Sequence, residues 1–218
     1  MFGQILYTQV KWTRATLAIL SVVAFAMPAG LWRAARQGYY TNYTAMEVMS
    51  GFAFLGSALG SLAFLCGFMM VAQPWAVDGA ARHVYPLSLP ISWKRYVAMR
   101  FGAGALLLII PALTLWLGCL LVLALVPIPE TLQAYPTTLA FRFLLGALVS
   151  YAVVFAVQYL SGRKAAHLLL AALLFATAVA VVAELTGNER LMVTAFNYLF
   201  EWPGPLAVFG AEWMLIDV

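Results

Sequence analysis

Charged residues are scarce in this chain, at 9% of its 218 residues. A soluble domain usually carries about 25% charged residues. Hydrophobic residues make up 65%, and no core in a chain of this length could hide that much apolar surface from water. A soluble globular fold, a disordered chain and a coiled coil are therefore excluded, because the composition is that of a protein that crosses the membrane several times.

Cysteine and histidine are rare as well, with 2 residues of each. Cys66 and Cys119 lie inside apolar runs. We expect each to behave as a small buried hydrophobic residue, and we expect no disulfide between them. His83 and His167 fit a loop and an interfacial position better than a pair of haem ligands. The sequence also lacks the spacing patterns of zinc, calcium and nucleophile sites. We therefore expect no catalytic residue, no metal and no cofactor.

Nucleotide-binding and nucleic-acid-binding patterns are missing too. The stretch SGRKA (161–165) holds a glycine and a lysine but not the rest of a phosphate-binding loop. The net charge of +4 is explained by lysine and arginine in cytoplasmic loops, so nucleic acid is not an expected partner. Any work driven by ATP would require an ATPase on a separate chain.

Long apolar runs dominate what is present, and they predict an all-α, polytopic membrane helix bundle that forms one domain over 1–218. Five runs have spanning length: Ala15–Trp32, Val48–Ala72, Phe101–Val126, Phe143–Leu160 and Ala165–Ala183. The tail at 191–218 is interrupted by Pro203 and Pro205, and three arrangements stay open for it. We favour a broken sixth span over a re-entrant pair or two interfacial helices.

The first fourteen residues place apolar side chains at roughly helical spacing among polar ones. This pattern predicts an N-terminal interfacial helix that lies along the membrane before the first span. A frayed terminus is the alternative.

The distribution of lysine and arginine predicts the orientation of the chain. With a cytoplasmic N-terminus, the inner side holds eight basic residues: Lys11, Arg14, Arg82, Lys94, Arg95, Arg100, Arg163 and Lys164. The outer side then holds four: Arg33, Arg36, Arg142 and Arg190. We therefore expect a multi-pass protein of the cytoplasmic (inner) membrane, with its N-terminus and its 73–100 and 161–165 loops inside.

The second span carries small residues at a spacing of four: Gly56, Ser57, Gly60 and Ser61. In lipid, this spacing lets helix backbones approach closely. The motif predicts a packing face towards another helix of the same subunit or of a dimer partner, although a glycine-rich span without a special partner is equally consistent with it.

The stretch AVDGAARHVYPLSLPISWKRYVAMR (76–100) interrupts the apolar sequence with charges and prolines. Asp78 is a good N-cap for a short helix over 79–85, which Pro86 would end. The segment LSLP predicts a non-helical elbow, and Ser92 can cap a new helix that starts at Trp93. A merely solvated loop would need neither the caps nor the prolines. This pattern therefore indicates a rigid element that lies parallel to the membrane.

HVYPLSLPISWKRYVAMRF (83–101) resembles the coupling-helix region of ABC-2 type transporter permeases. Residues 87–92 match the Leu-Ser-Leu-Pro-Ile-Ser elbow of that family directly, and Lys94 and Arg95 stand near its basic residue, shifted by Trp93. The N-terminal amphipathic segment, with its basic residues before the first span, is also similar to the family's elbow helix. The family's Gly-Thr-Leu-Glu run is absent, since AARHVY occupies that region.

This resemblance implies a permease subunit of an ABC exporter that pairs with a second permease, as a homodimer or heterodimer, and with a cytoplasmic ATPase. The implied coupling helix and its flanks would contact the ATPase through these residues: Asp78, Arg82, His83, Tyr85, Pro86, Leu87, Ser88, Leu89, Pro90, Lys94 and Arg95. Pro86 and Pro90 would set its shape. The alternative is a non-transporting membrane subunit that scaffolds a larger complex.

Overall fold

The computed structural model describes residues 1–38, 45–80, 92–125, 133–159, 194, 197–201, 203–204, 206–210, 213 and 215–217, and of these it describes 31–38, 45–57, 79–80, 210 and 216–217 by their backbone alone. Contacts divide the chain into two units, one formed by Met1–Val154 with Glu212–Val218 and the other by Phe155–Ala211. The helices are α1 (Phe2–Gly38), α2 (Ala45–Ala80), α3 (Trp93–Leu107), α4 (Ile109–Leu125), α5 (Pro136–Tyr159) and α6 (Ala207–Gly210). The strands are β1 (Gln133–Ala134) and β2 (Ile216–Asp217).

Within the described ranges, four helical stretches are long and apolar enough to cross a membrane: Phe2–Gly30, Ala58–Asp78, Trp93–Leu125 and Pro136–Tyr159. They correspond to the first four predicted spans, so the prediction of a helical membrane bundle is confirmed in its class. The fifth predicted span lies outside the described residues. In the predicted sixth, the described residues include the four-residue α6 and the strand β2.

Large apolar side chains on the outer faces of these helices are exposed. Ile19 and Val22 of α1 are 64% and 66% exposed, and Leu113 of α4 and Phe141 of α5 are 52% and 60% exposed. Such a surface would be unfavourable in water, whereas in lipid it is the expected exterior.

The third span consists of two consecutive helices because of Pro111. Proline cannot donate a hydrogen bond to the carbonyl four residues earlier, and its ring crowds that carbonyl. The chain therefore leaves the α-helix at Leu108, which ends α3, and α4 begins at the next residue. Together they cover 33 residues, about 50 Å at 1.5 Å per residue, which exceeds the roughly 30 Å of hydrocarbon.

The predicted interfacial helix is not confirmed, since α1 is one continuous helix from Phe2 through the first span. Ile5 is 4% exposed and packs in a cluster with Tyr96 and Ala103 of α3. An apolar stripe with helical spacing can face either lipid or another helix, and here part of it faces α3.

The helices of the first unit alternate in direction. Phe2 lies beside Gly102 and Phe25 beside Gly118, so α1 runs parallel to α3 and α4. Trp116 contacts Thr137, while Tyr151 contacts Phe101, so α5 runs the opposite way. Asp78 near the end of α2 contacts Arg100 near the beginning of α3. The beginning of α1, the end of α2 and the beginning of α3 therefore share one end of the bundle, which we call the basal end.

At the other end, the chain closes with a small antiparallel sheet. Gln133 pairs with Asp217 and Ala134 with Ile216, and the Tyr135 amide donates to the Leu215 carbonyl at 2.8 Å. Leu215, which directly precedes β2, is 1% exposed, so its side chain anchors this end of the strand in addition to the backbone pairing. The sequence reasoning did not predict this sheet.

The second unit is described only in part. Its α6 follows a turn in which the Gly204 amide donates to the Glu201 carbonyl at 2.6 Å. The Leu206 amide then donates to the Leu199 carbonyl at 2.9 Å. These bonds satisfy backbone groups where Pro203 interrupts helical pairing.

Candidate functional site

The 81–91 connection, which holds most of the predicted contact residues, joins α2 to α3 at the basal end. The following predicted residues lie outside the described residues: Arg82, His83, Tyr85, Pro86, Leu87, Ser88, Leu89 and Pro90. The structure does describe the two flanks of the connection, with Asp78 on one side and Lys94 and Arg95 on the other. The described part of the site is therefore its base, formed by the end of α2 and the first turns of α3.

The helix after the connection begins as predicted. Ser92 is the N-cap of α3, with extended backbone angles (φ −64°, ψ 143°), and its carbonyl accepts the Tyr96 amide at 3.0 Å. Its hydroxyl makes no capping bond, however. The extended conformation of Ser92 is the one that an N-cap residue normally adopts.

Asp78 does not start a new helix, so that prediction is wrong. It lies inside α2, which continues to Ala80, and only 1% of it is exposed. Its Oδ2 accepts a hydrogen bond from Arg100 at 2.6 Å. The carboxylate is turned inward because a cation on α3 compensates its charge there, which a capping position on the surface would not offer.

Arg100 is the functional candidate that sequence reasoning missed. It is 4% exposed, and the Nη1 that donates to Asp78 also donates to the Tyr96 hydroxyl at 3.0 Å. Its guanidinium carbon lies 4.6 Å from the centre of the Trp75 ring. A buried charge is tolerated when it is paired and hydrogen-bonded, and a planar guanidinium can stack on an aromatic face at the same time.

One sequence signal could have pointed to this pair. Asp78 is the only acidic residue between Glu47 and Glu130, and it stands among basic residues. A lone acid beside several cations in a membrane protein has a charge partner by default. The separation of 22 residues from Arg100, however, gives no helical or strand spacing that would select this cation over its neighbours.

A second layer from α5 supports the same part of α3. The Tyr151 hydroxyl donates to the Phe101 carbonyl at 3.2 Å, with the Arg100 carbonyl at 3.4 Å, and the Tyr151 and Phe101 rings lie 5.2 Å apart. Gly104 makes this possible, since a Cβ there would collide with the Tyr151 hydroxyl and the Gln9 amide. Residues from α1, α2 and α5 thus converge on the first turns of α3.

Exposed cations surround this base. Lys94 and Arg95 are exposed on the first turn of α3, and Lys11 and Arg14 are exposed on α1. Thr16 of α1 contacts Gln73 of α2, so Lys11 and Arg14 lie level with the last turns of α2, and all four charges lie in the basal half of the bundle. Such an excess is typical of the cytoplasmic side of a membrane protein.

The small-residue motif of α2 packs partly within the chain. Gly60 faces the buried Trp213, with a Cβ there reaching the indole at 3.6 Å, and Ser61 is exposed. Gly56 and Ser57 lie in α2, but their surroundings fall outside the description. A closer crossing lies at Gly67, where a Cβ would lie 2.6 Å from the Tyr151 backbone nitrogen and closer still to the Ala147 carbonyl.

The family model described as ABC-2 family transporter protein matches residues 39–208, which is most of the chain. No curated protein and no solved structure matches it.

Proposed function

Because the chain belongs to the ABC-2 family of transporter proteins and is a membrane permease of an ABC transporter, we propose that it works in an exporter driven by an ATPase on a separate cytoplasmic chain. The observation that carries this proposal is the family match over 39–208, and four helices of spanning length agree with it. The permease itself would bind the ATPase and the cargo, and would hydrolyse nothing.

The ATPase contact is assigned to the connection at the basal end. Arg82, His83, Tyr85 and Leu87 would provide the docking side chains, with Ser88 and Leu89 in the elbow between Pro86 and Pro90. Lys94 and Arg95 are exposed beside it and would border the contact. Asp78 is assigned a supporting role instead, because a side chain that is 1% exposed offers no surface to a partner.

The basal end is assigned to the cytoplasm of a cell whose inner membrane holds the protein. Support comes from the four exposed cations on α1 and α3, together with the eight-to-four division of basic residues. An ATPase could then reach the connection directly from the cytoplasm.

The assembly is proposed to contain two permease subunits and two ATPase subunits, since one such chain supplies half of a transport pathway in this family. Its mass in mild detergent distinguishes this arrangement from a single permease or from a subunit of an unrelated complex. A chain that purifies alone and monomeric would contradict it.

The contact is tested by affinity purification of the tagged chain from its native membranes, followed by measurement of ATP hydrolysis and identification of a chain with Walker motifs. Arg82→Glu should weaken the association by about 2 kcal/mol or more, roughly 30-fold, if Arg82 is desolvated in the contact. Lys11→Glu is the matched control, since it reverses an exposed charge on α1 at the same end. Equal retention of the ATPase by both variants would remove Arg82 from the docking site.

A further inference from the structure

We infer that Asp78 and Arg100 are positioning residues, which hold the two ends of the 81–91 connection in a fixed register. Their geometry stands by itself, whereas their importance for coupling to an ATPase rests on the proposed function. Neither residue touches a partner or a cargo in this arrangement; both act through the segment between them.

The pair joins two specific helical turns. Asp78 lies two residues before the end of α2, and Arg100 lies seven residues after the start of α3. Seven residues of helix rise about 10 Å, so the last turn of α2 is held against the second turn of α3. The first turn of α3 therefore projects beyond the end of α2.

The register is specific because both charges are removed from solvent. The side chains of Arg100 and Asp78 are 5% and 1% exposed, respectively, and the 2.6 Å contact joins them directly. Sliding α2 along α3 by one helical turn, about 5.4 Å, would separate the two charges in surroundings that cannot solvate them. A buried ion pair is often neutral for stability, and fixing a register is its best supported role.

The neighbouring elements hold Arg100 in place from the other sides. Trp75 stacks on its guanidinium, and the Tyr96 hydroxyl accepts its second hydrogen bond. The Tyr151 hydroxyl lies 3.4 Å from the Arg100 backbone carbonyl oxygen. Arg100 thus contacts α5 as well as its own helix, while Trp75 and Asp78 connect it to α2. Because the ion pair keeps the ends of α2 and α3 from moving apart, a displacement of the 81–91 connection would move both ends together.

The test uses the permease alone, in lipid nanodiscs, with Cys66 and Cys119 replaced by alanine. Spin labels at Val77 and Ser92, which are both exposed, report the spacing of the two helix ends. A second pair at Phe64 and Leu113, each 52% exposed, reports the spacing of α2 and α4 far from the basal end. Asp78→Asn keeps the size of the side chain but removes its charge.

We expect Asp78→Asn to broaden the distance distribution between Val77 and Ser92 while the one between Phe64 and Leu113 is unchanged. Exchanging the charges, with Asp78→Arg and Arg100→Asp together, should narrow the first distribution again. An unchanged Val77–Ser92 distribution in Asp78→Asn would overturn the inference, and so would equal broadening of both pairs, since that indicates a general loss of packing. No ATPase is present, so failure here and failure of the proposed function are separate results.

Discussion

Substitution of Gly67 by alanine tests the packing of the bundle most directly. Gly67 lies where α2 crosses α5, and the added Cβ would approach the Tyr151 backbone nitrogen to 2.6 Å and the Ala147 carbonyl and Ser150 hydroxyl more closely still. Real Cβ atoms essentially never show contacts under 3.0 Å. Two of the three obstacles belong to backbone, so a side-chain rotation cannot relieve them, and the two helices must move apart.

The expected cost follows from this geometry. Ordinary contact begins at 3.4 Å, so α5 has to retreat by about an ångström and the surrounding side chains have to repack. Overpacking of this kind costs about 1–3 kcal/mol. Alanine also favours a helix over glycine by about 1 kcal/mol, which works in the opposite direction.

Gly102→Ala is the matched control, because it brings the same gain in helix propensity without a collision. The nearest atom to a Cβ at Gly102 is a ring carbon of Phe2 at 3.7 Å, an ordinary contact. The difference between the two variants therefore isolates the clash. At about 2–4 °C per kcal/mol for a chain of this size, the Gly67→Ala midpoint should lie about 2–12 °C below that of Gly102→Ala.

The assay follows the exposure of a buried thiol to a fluorogenic maleimide during heating in detergent. Cys66 and Cys119 are both fully buried and free. Cys66 adjoins the substituted position, so Cys66→Ala should be introduced in every variant, which leaves Cys119 on α4 as the reporter of global unfolding. A Gly67→Ala midpoint equal to or above that of Gly102→Ala would refute the close crossing of α2 and α5.

Three further outcomes are expected. In a background without other accessible thiols, Ser88→Cys and Ser161→Cys should resist a membrane-impermeant maleimide added from outside. Tyr135 is 42% exposed at the other end of the bundle, so Tyr135→Cys should react. The reverse labelling pattern would invert the predicted orientation. Tyr151→Phe, which keeps the ring and removes a hydrogen bond to the α3 backbone, should lower stability by about 1 kcal/mol in the thermal assay, and an unchanged midpoint would exclude that bond as a contributor. Pro90→Gly should retain the ATPase in the pull-down but lower the hydrolysis rate of the complex, because a flexible elbow transmits less motion; an unchanged rate would contradict a rigid elbow.

The class of the fold and the start of α3 were predictable because each depends on local signals. Apolar runs of spanning length locate helices in lipid whatever they pack against, and Ser92 followed by Trp93 gives a helix start that the structure confirms. Pro111 is likewise visible in the sequence as the cause of the interruption at Leu108.

The missed features all depend on contacts between distant segments. Asp78 is a residue type favoured at N-caps, and only the approach of Arg100 from α3 shows why it lies inside α2 instead. The N-terminal apolar stripe could face lipid or protein, and only the burial of Ile5 against Tyr96 distinguishes them. The pairing of Gln133 with Asp217 involves two-residue strands, which are too short to leave a periodic pattern.

The sheet formed by β1 and β2 has a consequence for biosynthesis. Its two strands lie more than 80 residues apart in the sequence, at 133–134 and 216–217. A chain is synthesised from its N-terminus, and the first helices can insert before the later residues exist. The surfaces around Gly60 and β1 therefore stay uncovered on the ribosome until Trp213 and Leu215 emerge, so a chain that stops translating before residue 213 would insert its first helices and still leave this end of the bundle open.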